Sequence, residues 1–146
     1  MNEDATKLSA FDRLRVELAR CPFHEFLRPA AIAADDAAGT VTVRLVNRPE
    51  FRAMYGSDMI HGGIIASLID MTGHAVIAIG AGRPTPTVDL RIDYLKPASG
   101  AHLDATARVL RLGRTLGRAD IDVRDDKNAV VAMGRGTFAI PEGPKS

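Results

Sequence analysis

Between residues 60 and 81 the chain carries one long, largely apolar run with a single carboxylate, Asp70, near its centre. The run is long enough for a membrane span or for the core helix of a folded domain. An ionised side chain in the middle of a bilayer is costly, and the flanks carry no basic anchors, so a buried core helix over residues 61–79 is expected. Ser57 or Asp58 is the expected N-cap, and Gly80, Gly82, Pro84 and Pro86 the expected stop.

The rest of the sequence reads as the cover for that helix. Residues 1–22 are expected to be an N-terminal helical extension, with Ser9 as N-cap, an apolar stripe of Phe11, Leu14, Leu18 and Ala19, and Pro22 as its end. A short strand over 30–34 and a turn at 35–39 precede a strand in which Val41, Val43 and Leu45 share one face. After the long helix come four alternating segments. In the first, Val88, Leu90, Ile92 and Tyr94 face one way; the others centre on Leu103–Val109, Ala119–Val123 and 129–140, with a hairpin turn at 125–128. Alternation of this kind marks antiparallel strands with one covered face. The expected fold is α+β: about five to six antiparallel strands wrapped around one central helix, the hotdog arrangement, in one domain over 1–146. A ferredoxin-like fold would need a second crossover helix, and none is visible.

Composition excludes several classes. The chain has 19 basic and 18 acidic residues, a net charge of +1, so bulk electrostatic binding to nucleic acid or a membrane is not expected. Cys21 is the only cysteine, which rules out an intrachain disulfide. The first twenty-one residues lack the apolar core of a signal peptide, and a cytoplasmic setting is the expectation. Phosphate-binding and dinucleotide fingerprints and a Gly-x-Ser-x-Gly elbow are missing, and His61 and His74 find no third ligand at useful spacing, so neither metal nor cofactor is expected.

The segment beginning His61-Gly62-Gly63 and running to Asp70 carries the chemistry. Two glycines are poor helix formers at a helix start, but they let another group approach the backbone closely. First-turn N–H groups have no intrahelical acceptor and carry partial positive charge, so they can hold a carbonyl oxygen that becomes negative. A carboxylate inside an apolar helix is a candidate base or nucleophile. Eight residues separate Gly62 from Asp70, about 12 Å along a helix axis. Reaction requires approach to about 3 Å. One helix cannot offer both groups to one small reactant, whereas antiparallel helices from two subunits can. A homo-oligomer, at least a dimer, is therefore expected if both groups act. Spacing does not choose between dimer and tetramer, since strand-edge and face contacts both look feasible, and a dimer of dimers is the expectation adopted.

The run HGGIIASLIDMTGHAV, followed by TPTVDLRIDYLKPASG, resembles the hotdog thioesterases of the phenylacetate-degradation type, the PaaI-like branch of the 4-hydroxybenzoyl-CoA thioesterase superfamily. The resemblance extends over roughly residues 40–140. It implies hydrolysis of an acyl- or aryl-CoA thioester, coenzyme A being part of the substrate. It implies that Gly62 donates its N–H to the thioester carbonyl, that Asp70 of a neighbouring subunit is base or nucleophile, and that Thr87 positions water. Relatives with an Asn or Gln six residues before the histidine find Tyr55 here, and those with a Thr four residues after the acid find His74. A non-catalytic acyl-CoA-binding protein is the alternative, supported by Tyr55; a hotdog hydratase or dehydratase is a poorer match to the spacing of His61 and Asp70.

Further candidates follow. His61 is expected to be hydrogen-bonded near the helix start, with proton transfer as its other possible role. His74, one turn after Asp70 on the same face, is a candidate to tune it or to line the site with Gly63 and Met71. Met54, Tyr55 and Met59 are further pocket candidates. Lys96, and Arg111, Gly113 and Arg114 in a hairpin, are the candidate nucleotide contacts.

Overall fold

The apolar run forms a single helix of 20 residues, Gly62–Ala81, and a sheet of six strands curls around it. The computed structural model describes residues 8–143. In chain order the elements are α1 (Ala10–Leu18), α2 (Pro22–Leu27), β1 (Ala30–Asp35), β2 (Thr40–Val46), α3 (Gly62–Ala81), β3 (Thr87–Tyr94), β4 (His102–Leu112), β5 (Leu116–Asp125) and β6 (Val130–Ala139), with a short 3-10 turn at Pro49–Phe51. All neighbours are antiparallel, in the order β1-β2-β4-β5-β6-β3. The expected hotdog arrangement is the observed one.

Alternation decides which face meets the helix. Val43 lies opposite Ala105, which lies opposite Val123, and all three are buried. One residue along, Thr42, Thr106 and Asp122 line up on the outer face, where Arg44 pairs with Asp104 and Arg135 with Asp120 through two hydrogen bonds each. The Arg135 guanidinium holds the Asp120 carboxyl below the usual carboxylate range. Such exposed pairs contribute at most about 1 kcal/mol each. Leu68, Ile69 and Ile77 of α3 are fully buried, each worth roughly 1.5–3 kcal/mol in area removed from water. α3 is long and apolar enough to cross a membrane, and here it is the core element.

The helix rides close to the sheet because residues beneath it are small. A Cβ added to Gly134 on β6 would stand 2.5 Å from Ile69 Cγ2, and one on Gly117 of β5 would stand 2.6 Å from Ile77 Cγ2. Neither neighbour has room to retreat into a packed core.

Four local expectations need correction. Pro22 does not merely end α1: it opens a second helix, because its missing N–H and fixed φ suit a first helical position. The apolar stripe of α1 is narrower than expected, since Leu14 and Leu18 are buried while Phe11 and Ala19 are exposed. Ser9 caps that helix as expected, accepting the Asp12 N–H. Neither Ser57 nor Asp58 caps α3. Ser57 Oγ accepts the Met59 N–H and Asp58 accepts the Gly100 N–H, while Ile60 is held extended in a bridge to Arg52. On β3 the four-residue apolar face is broken. A bulge between Thr87 and Asp89 and the edge position leave Val88 and Tyr94 more than half exposed, with Leu90 and Ile92 packed on the core.

Gly134→Ala is expected to destabilise the fold by about 1–3 kcal/mol through overpacking against Ile69. Denaturant unfolding of this variant against wild type checks it; an unchanged midpoint would mean that α3 is free to shift.

Candidate active site

The start of α3 is built by His61. Its backbone is extended, at φ −61° and ψ 137°, and its ring Nδ1 accepts the Gly63 N–H at 2.8 Å. This fixes Nδ1 as the unprotonated nitrogen. The His61 carbonyl takes the N–H groups of Ile64 and Ile65. Tyr94 on β3 donates its hydroxyl to the Gly62 carbonyl at 2.7 Å, and its ring lies where a side chain on residue 62 would reach. Of the first-turn amides, that leaves the Gly62 N–H without an acceptor among the described residues. A histidine cap therefore consumes the second glycine's donor and spares the first.

Two turns further on, Asp70 projects from α3 at the rim of a cavity of about 520 Å³. It is half-buried rather than enclosed in the core as an apolar helix had implied, since it faces the cavity beside the start of edge strand β3. Thr87 at the start of β3 donates its hydroxyl to Asp70 Oδ1 at 2.7 Å. The second carboxylate oxygen has no hydrogen bond among the described residues and stays open to the cavity. Edge strand β3 thus touches α3 at both places of chemical interest, Thr87 on Asp70 and Tyr94 on Gly62.

The cavity wall opposite α3 comes from the N-terminal helices: Glu17 from α1, and Phe23 and His24 from α2. Sequence reasoning did not find these residues. The readable signal was Pro22 followed by Phe23, Phe26 and Leu27 at helical spacing. Met71 and His74 line the same cavity, Met71 being almost fully buried.

His74 is partly buried and saturated with neighbours. Its Nε2 accepts the Thr85 N–H at 3.3 Å, and its Nδ1 lies 3.7 Å from Glu17 Oε1. Its ring meets Phe138 edge-on at 6.3 Å between centroids. Burial pushes the imidazole below its ordinary range, against the upward pull of the Glu17 and Asp70 carboxylates.

The remaining candidates are dispersed. Met54 and Tyr55 are exposed on the loop before α3, and Met59 is half-buried there. Lys96 lies just past Tyr94, at the Gly62 end of the helix. Arg111, Gly113 and Arg114 form the β4–β5 hairpin, whose Leu112 packs near Gly80 at the other end. A helix of this length spans about 30 Å, so within one protomer Lys96 and the two arginines cannot share a ligand's phosphates. A larger depression of about 650 Å³ on the outer sheet face is lined mainly by Asp, Arg and Thr side chains of the ion-paired ladder and lies away from Asp70.

A family model described as the thioesterase superfamily matches residues 58–132, the segment that holds Gly62, Asp70, Thr87 and Tyr94. The chain belongs to the thioesterase superfamily. Within it, a relative from Halobacterium salinarum is 39% identical over 95 residues, 58% of this chain and 62% of its own length. The match thus spans about three fifths of that relative. The medium/long-chain acyl-CoA thioesterase YigI of Escherichia coli is 28% identical over 109 residues, covering 64% of this chain and 70% of YigI. Among solved structures, the Escherichia coli PaaI protein from the phenylacetic acid degradation operon superposes with a TM-score of 0.79 at 23% identity, over 92% of this chain and 98% of that one. The thioesterase-superfamily resemblance read from the helix and its following strand is borne out by the family model, and the likeness to PaaI bears out the fold.

Because the folded state disfavours the His74 proton, the unfolded chain binds it more readily. This superfamily member is expected to lose stability from that source as the pH falls below about 6.5 and on through the lower folded value. Urea unfolding at about pH 7.5 and about pH 5.5 checks it: the wild type should lose more than His74→Gln between the two, and equal losses would contradict a neutral buried imidazole.

Proposed function

We propose that this chain is an acyl-CoA thioesterase acting as a homo-oligomer in the cytoplasm, with each site assembled from two protomers. The observation that carries the reading is the pair of half-sites on α3: an amide freed by a histidine cap at Gly62 and a Thr87-held carboxylate at Asp70. The Gly62 N–H of one protomer receives the thioester carbonyl oxygen as it becomes negative, and one such donor is worth on the order of 3 kcal/mol. Asp70 of the other protomer takes the proton of an attacking water, or itself attacks the carbonyl to form a mixed anhydride that water then cleaves, regenerating the carboxylate. The C–S bond breaks, the free acid leaves, and coenzyme A departs as the protonated thiol. Thr87 keeps the carboxylate in one orientation.

Edge strand β3 supports the assembly. Its outer N–H and C=O groups face no strand among the described residues, and exposed Val88, Tyr94 and Leu95 accompany them. Antiparallel pairing with a second copy, centred between Leu90 and Arg91, sets Tyr94 across from Thr87 of the partner subunit. That brings Gly62 of one helix to Asp70 of the other. The same two-fold operation places the partner's β4–β5 hairpin at the Lys96 end, so Lys96, Arg111 and Arg114 become joint candidates for the nucleotide phosphates. The acyl-CoA thioesterase activity for which YigI is named supports the acyl-CoA class.

Asp70→Asn is expected to remain folded and to lose several orders of magnitude in thiol release across short, medium, long and aromatic acyl-CoAs. Wild-type binding of these compounds with no thiol release would instead favour the non-catalytic reading. Subunit sharing has its own test. Gly62→Pro suits a first helical position after an extended residue and removes the N–H in question. Mixing the two inactive variants through a denaturation–renaturation cycle should restore about a quarter of wild-type activity, since half the dimers regain one intact site. A mixture that stays inactive would place the whole site within one protomer.

A further inference from the structure

We propose that His74 is a positioning residue that holds Thr87 on Asp70 by fixing the segment before β3. The inference rests on the functional reading above for the meaning of Thr87, and on geometry for everything else.

α3 and the chain that follows it make two matched contacts. Asp70 and His74 are one turn apart and point the same way. Thr87 and Thr85 are two residues apart. The Thr87 hydroxyl bonds Asp70 Oδ1 at 2.7 Å, and the Thr85 N–H bonds His74 Nε2 at 3.3 Å. Between them stands Pro86, whose carbonyl accepts the Ala139 N–H at 2.8 Å. Thr85 is fully buried, flanked by Pro84 and Pro86. Prolines fix φ on both sides, and a residue preceding proline is confined to extended backbone, so the segment has few internal freedoms. Anchoring the Thr85 amide and the Pro86 carbonyl therefore sets the direction in which Thr87 leaves. A buried amide without an acceptor would be costly, so His74 removes a penalty as well as setting a position.

The imidazole is prepared for this role. Accepting through Nε2 requires that Nδ1 carry the proton, and Glu17 of α1 lies on the Nδ1 side. Glu17 is itself held by Arg20 at 3.1 Å. The other titratable groups near the ring are Asp70 and His24. His74 thus connects the N-terminal helix to the α3–β3 connection without itself meeting the reacting atoms.

Four variants test this: His74→Phe, which keeps a ring and loses the acceptor; His74→Gln, whose amide oxygen can accept from Thr85; Thr87→Val; and the double variant of His74→Phe with Thr87→Val. Hydrogen exchange at the Thr85 amide reads the geometry without any assay of activity. Protection is expected in wild type and His74→Gln and lost in His74→Phe. On an accepted thioester, His74→Phe should lower kcat roughly ten- to hundredfold with KM little changed, as a displaced positioning group does. His74→Gln should recover most of that loss, and the double variant should be no worse than Thr87→Val alone, because both act through one hydroxyl. Additive losses, a change in KM alone, or protection retained in His74→Phe would each overturn the proposal. Should His74→Phe fail to fold, unprotected Thr85 in soluble His74→Gln, or a kcat there as low as that of Thr87→Val, would overturn it equally. If wild type cleaves no thioester, the functional reading falls, while the exchange arm still decides whether His74 holds the segment.

Discussion

An apolar helix of this length is stable in water only when most of its circumference is covered, and here the cover is a sheet that presents small residues to it. Gly117 and Gly134 let Ile77 and Ile69 settle against the strands. Ala105, Ala107 and Ala119 continue that low floor. The sheet wraps until its last strand, β3, meets the helix again. The site lies along this seam, where cover ends: a polar group on the wrapped face would have to be buried, and one farther round would have no strand to hold it. Asp70 leaves the helix where β3 begins, and Gly62 starts the helix where β3 ends.

Much of this was legible because it follows from periodicity. The order of elements, the inward faces of β2, β4 and β5, and the hairpin turns all come from a repeat of two and its interruptions. The helix came from length and apolarity. Its start was legible from the glycine pair, and its carboxylate from being the one acid in the run. What the sequence did not disclose has specific causes. His61 is expected to be hydrogen-bonded, yet that its ring takes the Gly63 amide depends on a backbone path held by the Arg52–Ile60 bridge and by the bonds of the Ile60 and His61 N–H groups to Ala98 and Phe51. α2 was hidden by reading Pro22 solely as a stop. The exposure of Val88 and Tyr94 depends on a bulge that a strict alternation of side chains does not signal.

The cavity wall illustrates a more general gap. Glu17, Phe23 and His24 approach Asp70 from more than forty residues away in sequence, and no local pattern announces such a meeting. Pattern reading finds groups whose chemistry is unusual where they stand, such as an acid in an apolar helix. It does not find ordinary residues that become relevant by where the chain returns.

The glycine-floored seat of α3 has a bearing on how this scaffold diversifies. A helix pressed against bare backbone has little freedom to roll or lift, so it offers a fixed reference for the groups that project from it and little scope for resizing the space beside it. The wall of the Asp70 cavity opposite α3 comes from the two short N-terminal helices, which lie outside residues 58–132 matched by the family model. Under the proposed reaction, chemistry and selectivity would be housed in separate parts of the chain, and mutation could revise the second without disturbing the first.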